Sequence, residues 1–334
     1  MDTTARVGTS GWNYPHWRGA FYPAGVPTKT WLAFLAERLS TVEVNGTFYS
    51  LTRPTTCDAW RAAVRPDFLF AVKGSRYITH MLKLRGFEAP LANFFASGIL
   101  RLGAQLGPIL WQLPPQLPFD PVRADAFLSA LPADIRGAER RARRHDGRTT
   151  GRAALTAPDG RDARLFHALE VRHASWLSDE ALRLLERRGI ALVAADTAGR
   201  HPRSLVRTSR DLAYVRLHGA RRLYEGHYTD EELAEWARQC AEWTDGGARV
   251  FVYFDNDRDA AAIQDALRLD ALVGGRSVSA SAMTRQPEDL TPREPPSHFG
   301  FRRLASGDRA GKSPARSSPG SGRRPSGARV SAGK

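Results

Sequence analysis

The eight residues VEVNGTFY, at positions 42–49, raise the question on which the predicted fold depends. Val42 and Val44 are typical of one face of a β-strand, and Glu43 and Asn45 alternate with them on the opposite face. A carboxylate and an amide on one face indicate either a strand exposed to solvent or a strand buried on both sides that lines a site. The rest of the chain favours one of these two interpretations.

Short apolar runs alternate with amphipathic helical patterns over roughly the first 270 residues. The predicted strands, in chain order, are RVGTS, TVEVNGTF, FLFAVKG, PILWQL, HALEVRH, IALVAAD, AYVRLHG and RVFVYFDN. Eight strands, each followed by a segment long enough for a helix, match the number and length of a (β/α)8 barrel of the TIM type. A doubly wound open sheet is the alternative, because alternation alone does not show that a sheet closes.

Helix ends are marked by capping residues at several of these connections. Pro54 stands at a predicted first helical position, and Ser178 is a predicted N-cap of a helix that Gly189 ends. Thr229 precedes an acidic first turn in the same way.

Charge and composition divide the chain into a domain and a tail. The formal net charge is +14, and roughly +8 of it falls in the last sixty residues. We predict a barrel domain over residues 1–272, with a long basic connection at about 136–164. Residues 273–334 are rich in Ser, Gly, Pro and Arg and are predicted to be a disordered basic tail with weak, non-specific polyanion contacts.

The sequence also predicts a cytoplasmic protein with no membrane segment. No stretch approaches the roughly 18 apolar residues of a membrane span, and the first residues lack the apolar region of a signal peptide. Cys57 and Cys240 have no metal-binding spacing, which suits a reducing compartment. The oligomeric state is left open by the sequence.

Polar residues interrupt the strands at their carboxyl ends with a period of two. In chain order they are Glu43, Asn45, Lys73, Gln112, Glu170, Arg172, Asp196, Arg216, His218, Asp255 and Asn256. A lone buried charge costs several kcal/mol, but charges of both signs at one edge can pair. Barrel enzymes place their chemistry at this edge. We therefore expect Glu43 and Asn45 to face the barrel axis and a site for a small ligand, the alternative being a charge network that only plugs the barrel.

Five aromatic residues crowd the loop after the first strand. They are Trp12, Tyr14, Trp17, Phe21 and Tyr22. Such residues are either core or a stacking platform for a sugar ring or base, and Trp12 is the binding candidate among them.

An ordered set of motifs resembles the YecE-like family, domain of unknown function 72. The motifs are GTSGW with FYP, VEVNGTFY, FAVKGSRYITH, LGPILWQLPP, ALEVRHASW, ADT, YVRLHG and VYFDND. The resemblance runs from about residue 6 to about residue 270 and implies a TIM barrel, without an activity. It adds His80 and His173 to the polar positions given above. It also implies Asn-Asn where this chain has Asp255 and Asn256, so a charged role for Asp255 is not expected.

Several chemistries fit these residues. Glu43 and Glu170 could act as general acid and base. Lys73 could form a Schiff base or bind phosphate, or else be an ion-pair partner of one of these glutamates. Arg172 and Arg216 could clamp a carboxylate or phosphate.

Histidines and a metal offer further alternatives. His173 and His218 could shuttle protons or be hydrogen-bonded structural residues. Glu43, Glu170, Asp196 and His218 could hold a divalent metal, although nearby Arg and Lys would repel it. No cofactor is predicted.

We therefore predict an enzyme that acts on a small polar or anionic substrate, sugar-like or phosphorylated, by acid–base chemistry at the carboxyl face of the barrel. The predicted catalytic residues are Glu43, Glu170, Lys73 and His218. The predicted substrate-binding residues are Asn45, His80, Gln112, Arg172, His173, Asp196, Arg216, Trp12 and Asn256. The alternatives are a metal-dependent isomerase or hydrolase, and a non-catalytic protein that binds an anionic ligand or nucleic acid.

Overall fold

The structure, a computed structural model, describes residues 5–160 and 162–274. The predicted disordered tail lies outside the described residues, apart from its first two positions. The prediction that it is disordered and binds polyanions stays a prediction.

Within the described residues, nine strands form two parallel sheets. They are β1 (Arg6–Thr9), β2 (Thr41–Val44), β3 (Leu69–Lys73), β4 (Leu106–Gln112), β5 (His167–Glu170), β6 (Ala191–Leu192), β7 (Ala194–Asp196), β8 (Leu212–Leu217) and β9 (Arg249–Phe254). One sheet has the order β1-β9-β8-β7 and the other β2-β3-β4-β5-β6. The predicted parallel α/β fold is confirmed. The predicted sixth strand is interrupted at Val193, so that β6 pairs with β5 and β7 pairs with β8.

Helices follow most of the strands. They are α1 (Trp31–Ala36), α2 (Gly46–Tyr49), α3 (Pro54–Ala62), α4 (Glu88–Ala96), α5 (Pro121–Ala130), α6 (Ile135–Ala142), α7 (Asp179–Arg188), α8 (Asp230–Asp245) and α9 (Ala261–Val273). The predicted helix ends are confirmed. Pro54 begins α3, the Ser178 side chain accepts a hydrogen bond from the Ala181 amide, and Gly189 ends α7 with a φ of 65°. Thr229 caps α8.

Each strand buries both of its faces. Phe70 and Val72 on β3 belong to the large core shared with the helices, whereas Leu69 and Ala71 belong to a smaller inner cluster. The inner cluster consists of Leu69, Ala71, Leu110, Ala168, Ala191, Val193, Ala195, Leu212, Tyr214, Phe251 and Tyr253. Both sheets contribute to this cluster, so the side chains that follow its members along the strands converge at one end of it.

The prediction of a strand through Phe48 was wrong. β2 ends at Val44, and Asn45 has a right-handed helical backbone at the start of the short helix α2. The Thr47 hydroxyl donates to the carbonyls of Val44 (3.0 Å) and Lys73 (2.7 Å), which fixes this turn against the end of β3. A side-chain hydroxyl that satisfies nearby carbonyls lets the chain leave the sheet at this point.

The basic connection also differs from the prediction. Residues 136–142, predicted as the start of the long basic connection, lie in α6, whose Ile135, Ala138 and Ala142 are buried. Beyond the helix, Asn93 and Asp146 exchange two hydrogen bonds of 2.9 and 3.0 Å. An apolar stripe on a basic helix therefore holds the first part of this segment on the core.

Within the described ranges, no helix is both long enough and apolar enough to cross a membrane.

Candidate functional site

A fully buried arginine lies at the centre of the polar residues. Arg216 is in β8, two positions after the inner-cluster residue Tyr214. Its guanidinium donates to both oxygens of Glu43, at 2.9 and 3.1 Å, and to Glu170 Oε2 at 2.6 Å. It also donates to Asp255 Oδ2 at 3.0 Å and to Ser10 Oγ at 2.9 Å. All three nitrogens are engaged, so the structure does not fit the predicted role of Arg216 as a clamp for a substrate anion.

The carboxylates around Arg216 are saturated with donors. Glu43 accepts from Arg216, from the Ser10 hydroxyl and, at 2.6 Å, from the Tyr214 hydroxyl. Glu170 accepts from Arg216 and, at 2.9 Å, from Nε of Arg172. We use the name charged hub for Arg216 with Glu43, Glu170 and Asp255.

Pairing shifts the pKa values of three hub residues, Glu170, Asp255 and Arg216, toward their ionised forms. Burial acts to raise the pKa of Glu170, but Arg216 and Arg172 hold that pKa well below its ordinary value. Burial also opposes ionisation of Asp255, yet Arg216 and His218 lower its pKa to about 2. The carboxylates hold the pKa of Arg216 well above its ordinary value despite burial. The geometry therefore does not support Glu170 as a general acid, because it holds no proton at neutral pH.

His218 is fixed by two charged neighbours. Its Nε2 lies 3.1 Å from Nη1 of Arg216, and its Nδ1 lies 2.9 Å from Oδ2 of Asp255 without a well-aligned hydrogen bond. An arginine N–H can only donate, so Nε2 must accept and the proton of a neutral imidazole sits on Nδ1, beside Asp255. The expectation that Asp255 has no charged role was wrong, since it pairs with both residues.

A row of uncommitted donors lies beside the hub. Lys73, Gln112 and Arg172 stand at or just past the carboxyl ends of β3, β4 and β5, which are consecutive in the sheet. Within the described part of the chain, the Lys73 ammonium, the Gln112 amide and the terminal nitrogens of Arg172 have no hydrogen-bond or ion-pair partner. Lys73 and Gln112 each lie two residues after a member of the inner cluster, and Arg172 lies four residues after one. An even spacing places all three side chains on the same face as that cluster. We call these three residues the donor row.

Lys73 is the most unusual member of the donor row. Its residue is 8% exposed, and its Nζ lies 4.5 Å from the centre of the Phe48 ring. Burial and the nearby Arg216 lower the pKa of Lys73 to about 8, against the pull of Glu43 and Glu170. The predicted direct ion pair with one of these glutamates is absent among the described residues. Arg216 binds both oxygens of Glu43, and Arg216 and Arg172 bind one oxygen each of Glu170.

His80 lies next to the donor row. It belongs to a five-residue π-helix, Tyr77–Met81, and its ring packs edge-on against Phe48 at 5.1 Å. Burial, Arg172 and Lys73 lower the pKa of His80 to about 4. His80 is therefore a neutral group at the edge of the site. Short π-helical turns of this kind are frequent at functional sites.

Asn45 joins the site through its amide. Its Nδ2 donates to the Ser10 carbonyl at 2.9 Å and to the Ser10 hydroxyl at 3.0 Å, while its Oδ1 is buried without a partner. Asn45 thus contacts Ser10, a partner of Arg216, and it does so from a turn and not from a strand.

Three predicted binding residues, Asp196, Asn256 and His173, lie away from the hub. Ala195 and Tyr253 are in the inner cluster. Successive side chains of a strand alternate between its two faces, so Asp196, one residue after Ala195, and Asn256, three residues after Tyr253, point toward the helices. Asp196 lines a separate cavity of about 350 Å³ with His201, Arg203, Tyr228 and Glu232 among its walls. Burial raises the pKa of Asp196 there.

The other two outward residues serve the structure. Asn256 donates to Asp265 of α9 at 2.8 Å. His173 accepts from the Ser175 amide at the start of a 3-10 helix and contacts its hydroxyl at 2.8 Å. The structure therefore does not bring Asp196, Asn256 or His173 to the hub.

The aromatic loop after β1 is mainly core. Trp17 and Tyr22 are fully buried, and Tyr22 stacks on Trp31 at 4.3 Å. Trp12 is partly buried and packs edge-on against Trp60 at 5.5 Å. A stacking role for Trp12 stays a prediction.

The sequence analysis missed three members of the site. Ser10 follows the outward Thr9 of β1, Tyr214 precedes Arg216 by two residues, and Tyr14 donates to the Ser10 carbonyl at 2.5 Å. Tyr14 lies in a loop, which has no periodic pattern.

The donor set does not favour a metal at the hub. No three His, Cys, Asp or Glu residues in the described ranges are arranged to hold a metal ion. Arg216 occupies the space between Glu43 and Glu170 that a cation would need, and Asp196 lies in a different cavity.

Comparisons with known proteins agree with the motifs in the sequence. A structure of a DUF72 family protein from Thermotoga maritima matches with a TM-score of 0.65 and 23% identity, over 81% of this chain and 99% of that chain. One from Enterococcus faecalis matches with a TM-score of 0.61 and 17% identity, over 81% and 95% of the two chains. No curated protein matches.

The family model described as protein of unknown function DUF72 matches residues 6–289. The match extends past residue 272, so the domain boundary expected there stays a prediction. The resemblance seen in the sequence is confirmed, and the chain belongs to the DUF72 family.

Proposed function

We propose that this protein is an enzyme that acts on a small anionic substrate, sugar-like or phosphorylated, at the carboxyl ends of its strands. The donor row binds the anionic group, and Lys73 transfers the proton. The charged hub supplies a fixed field beside the reacting atoms. The single observation that carries this proposal concerns three consecutive strand ends beside the hub. Among the described residues, the Lys73 ammonium, the Gln112 amide and the terminal nitrogens of Arg172 have no hydrogen-bond or ion-pair partner there.

We also propose that the two sheets are arcs of one closed eight-stranded barrel of the TIM type. A parallel bridge between Ser10 and Glu43 connects the ends of β1 and β2. At the other edge, only Val193 separates β6 from β7, so these two strands act as one. The inner cluster draws side chains from both sheets, as a barrel interior does. The open-sheet alternative has no such shared interior.

An anionic ligand fits the donor row because its members offer hydrogen-bond donors and positive charge. Arg172 uses only Nε on Glu170, so its terminal nitrogens can form a two-pronged contact with a carboxylate or phosphate. Gln112 adds a neutral amide, and the Lys73 ammonium adds a second charge. Hydrogen bonds to charged groups are worth about 1.5–3 kcal/mol, so a ligand that accepts from these donors gains affinity from them.

Lys73 is the best placed group for proton transfer. A group transfers protons efficiently when its pKa lies near the working pH, and the pKa of Lys73 is about 8. Glu43 and Glu170 then act as fixed negative charges, which replaces the acid–base pair expected from the sequence. His218, fully buried against Arg216, holds the hub in place.

Calorimetric titration of the full chain with inorganic phosphate and with phosphorylated sugars tests the proposal. We expect saturable binding that weakens at least about tenfold in Arg172→Ala and in Lys73→Met, the loss of one charged hydrogen bond. Arg203→Ala is the matched control, because Arg203 lines the separate Asp196 cavity. Equal binding by all variants, falling steeply with salt, would instead indicate the basic tail.

Turnover separates an enzyme from a binding protein. The same sugars, followed by nuclear magnetic resonance in the presence of the protein, should change chemically with the wild-type chain and remain unchanged with Lys73→Met. Binding without change of any bound compound would favour the non-catalytic alternative.

A further inference from the structure

The amine of Lys73 is set up for covalent chemistry as well as for proton transfer. It is the one donor-row residue with a nucleophilic atom, and its Nζ faces the Phe48 ring on one side. Its residue is mostly buried, yet 8% of its surface remains open to an incoming molecule. Structural lysines in buried sites normally pair with a carboxylate, whereas here the oxygens of Glu43 and Glu170 are bound by Arg216 and Arg172.

We propose that Lys73 forms a Schiff base with an aldehyde or ketone whose anionic group is held by Arg172 and Gln112. This inference rests on the proposed function, because it uses the same anion site and narrows the substrate class to carbonyl compounds. It goes beyond proton transfer by placing a covalent bond between the protein and the substrate.

The reaction balances without an outside reagent. The amine nitrogen attacks the carbonyl carbon, a carbon–nitrogen double bond forms, and the carbonyl oxygen leaves as water. Counted from the ammonium form, one positive charge and three N–H protons become an iminium with one N–H proton, together with one water molecule. No oxidation or reduction takes place.

The surroundings of Lys73 favour both the reactant amine and the product iminium. Attack needs the neutral amine, and burial supplies it near neutral pH by lowering the pKa of Lys73. The product is again a cation, and the charges of Glu43, Glu170 and Asp255 act on it as they act on the ammonium. The hub therefore attracts the iminium without competing for the amine through a direct bond.

The small number of lysines in the sequence allows a covalent adduct to be located. The chain has five lysines, Lys29, Lys73, Lys83, Lys312 and Lys334, among 49 basic residues. A covalent adduct can thus be assigned to one lysine by peptide mapping. Lys29 and Lys83 are exposed and serve as internal references.

The experiment traps the adduct by reduction. The full-length protein is incubated with pyruvate, glyoxylate or dihydroxyacetone phosphate, reduced with borohydride, and analysed by intact mass and by peptide mapping. We expect one adduct with at least one of these probes, located on Lys73 and labelled at least about tenfold faster than Lys29 at neutral pH, since each pKa unit changes the amine fraction tenfold. The adduct should be lost in Lys73→Arg, retained in Lys29→Arg and reduced by excess phosphate.

Two results overturn the inference, and they can be told apart. Calorimetric binding of a probe without a trapped adduct, or labelling spread evenly over the exposed lysines, removes the covalent step and leaves the anion site. Absence of both binding and trapping for all three probes and for phosphate removes the proposed function as well. Circular dichroism of Lys73→Arg confirms that the variant is folded in either case.

Discussion

Arg216 and Glu43 form a two-pronged ion pair, with Nε 3.1 Å from Oε2 and Nη2 2.9 Å from Oε1, and both side chains are fully buried. Arg216 lies on β8 and Glu43 on β2, so the pair connects the two sheets. A guanidinium matches a carboxylate in this planar geometry, which a lysine could not reproduce. The pair is therefore the structural centre of the charged hub.

Removing Arg216 should destabilise the protein strongly. Arg216→Met leaves Glu43, Glu170 and Asp255 buried without their shared cation, and breaking a buried pair in this way costs about 3–5 kcal/mol. Urea unfolding followed by circular dichroism measures the change. Arg203→Ala, on the exposed side, should change stability by less than about 0.5 kcal/mol. A loss in Arg216→Met as small as that of the control would contradict the account of the hub.

Tyr214 should contribute more to stability than its neighbour Tyr253. The Tyr214 hydroxyl donates to the charged Glu43, whereas the Tyr253 hydroxyl shares a 2.7 Å hydrogen bond with the neutral Thr41 hydroxyl. Hydrogen bonds to charged groups are worth about 1.5–3 kcal/mol and neutral ones about 0.5–1.5 kcal/mol. Tyr214→Phe should therefore cost more than Tyr253→Phe in matched unfolding curves. The reverse order would show that Glu43 does not depend on this donor.

Acid should weaken the fold through Asp255. The pKa of Asp255 is about 2 in the folded protein and has an ordinary value of 3.8. A lowered pKa stabilises the folded state above the ordinary value, and this contribution is lost as the pH falls from about 4 to about 2. Asp255→Asn should thus be less stable than the wild type by about 2 kcal/mol at neutral pH. The difference between the two proteins should shrink toward pH 2, and a constant difference would argue against the paired carboxylate.

The inner faces of the two sheets were partly predictable because strands have a strict period of two. Counting along β8 placed Arg216 correctly, and Lys73 and Gln112 follow the same rule. Counting failed for Asn45, because β2 ends early and Asn45 reaches the site from a turn. Asp196 faces the helices because the preceding Ala195 faces inward.

The ion pairs inside the site could not be predicted from the sequence, for a different reason. From the sequence alone, Lys73, Arg172 and Arg216 are equally good ion-pair partners for a glutamate. Only the distances between their nitrogens and the carboxylate oxygens in the structure distinguish them. Arg216 reaches both glutamates, and this leaves Lys73 unpaired. Tyr14 and Ser10 were missed because a loop hydroxyl has no periodic signature.

Lys73 should reduce stability at neutral pH. Its pKa falls from the ordinary 10.5 to about 8 on folding, so the unfolded chain binds more protons between these values. Stability should therefore rise as the pH increases from about 8 to about 10.5. Lys73→Met should gain up to about 3 kcal/mol near pH 7 and lack the alkaline rise. An alkaline rise that persists in Lys73→Met would assign it to another group.

The most direct measurement is a carbon-13 magnetic resonance titration of the lysine side chains, with and without phosphate. With five lysines in the chain, each signal can be assigned by a Lys→Arg variant. We predict that the Lys73 signal titrates near pH 8 and moves upward when phosphate binds, because a nearby anion favours the ammonium. A Lys73 signal that titrates with the exposed lysines, or that is unaffected by saturating phosphate, would contradict the donor row as an anion site.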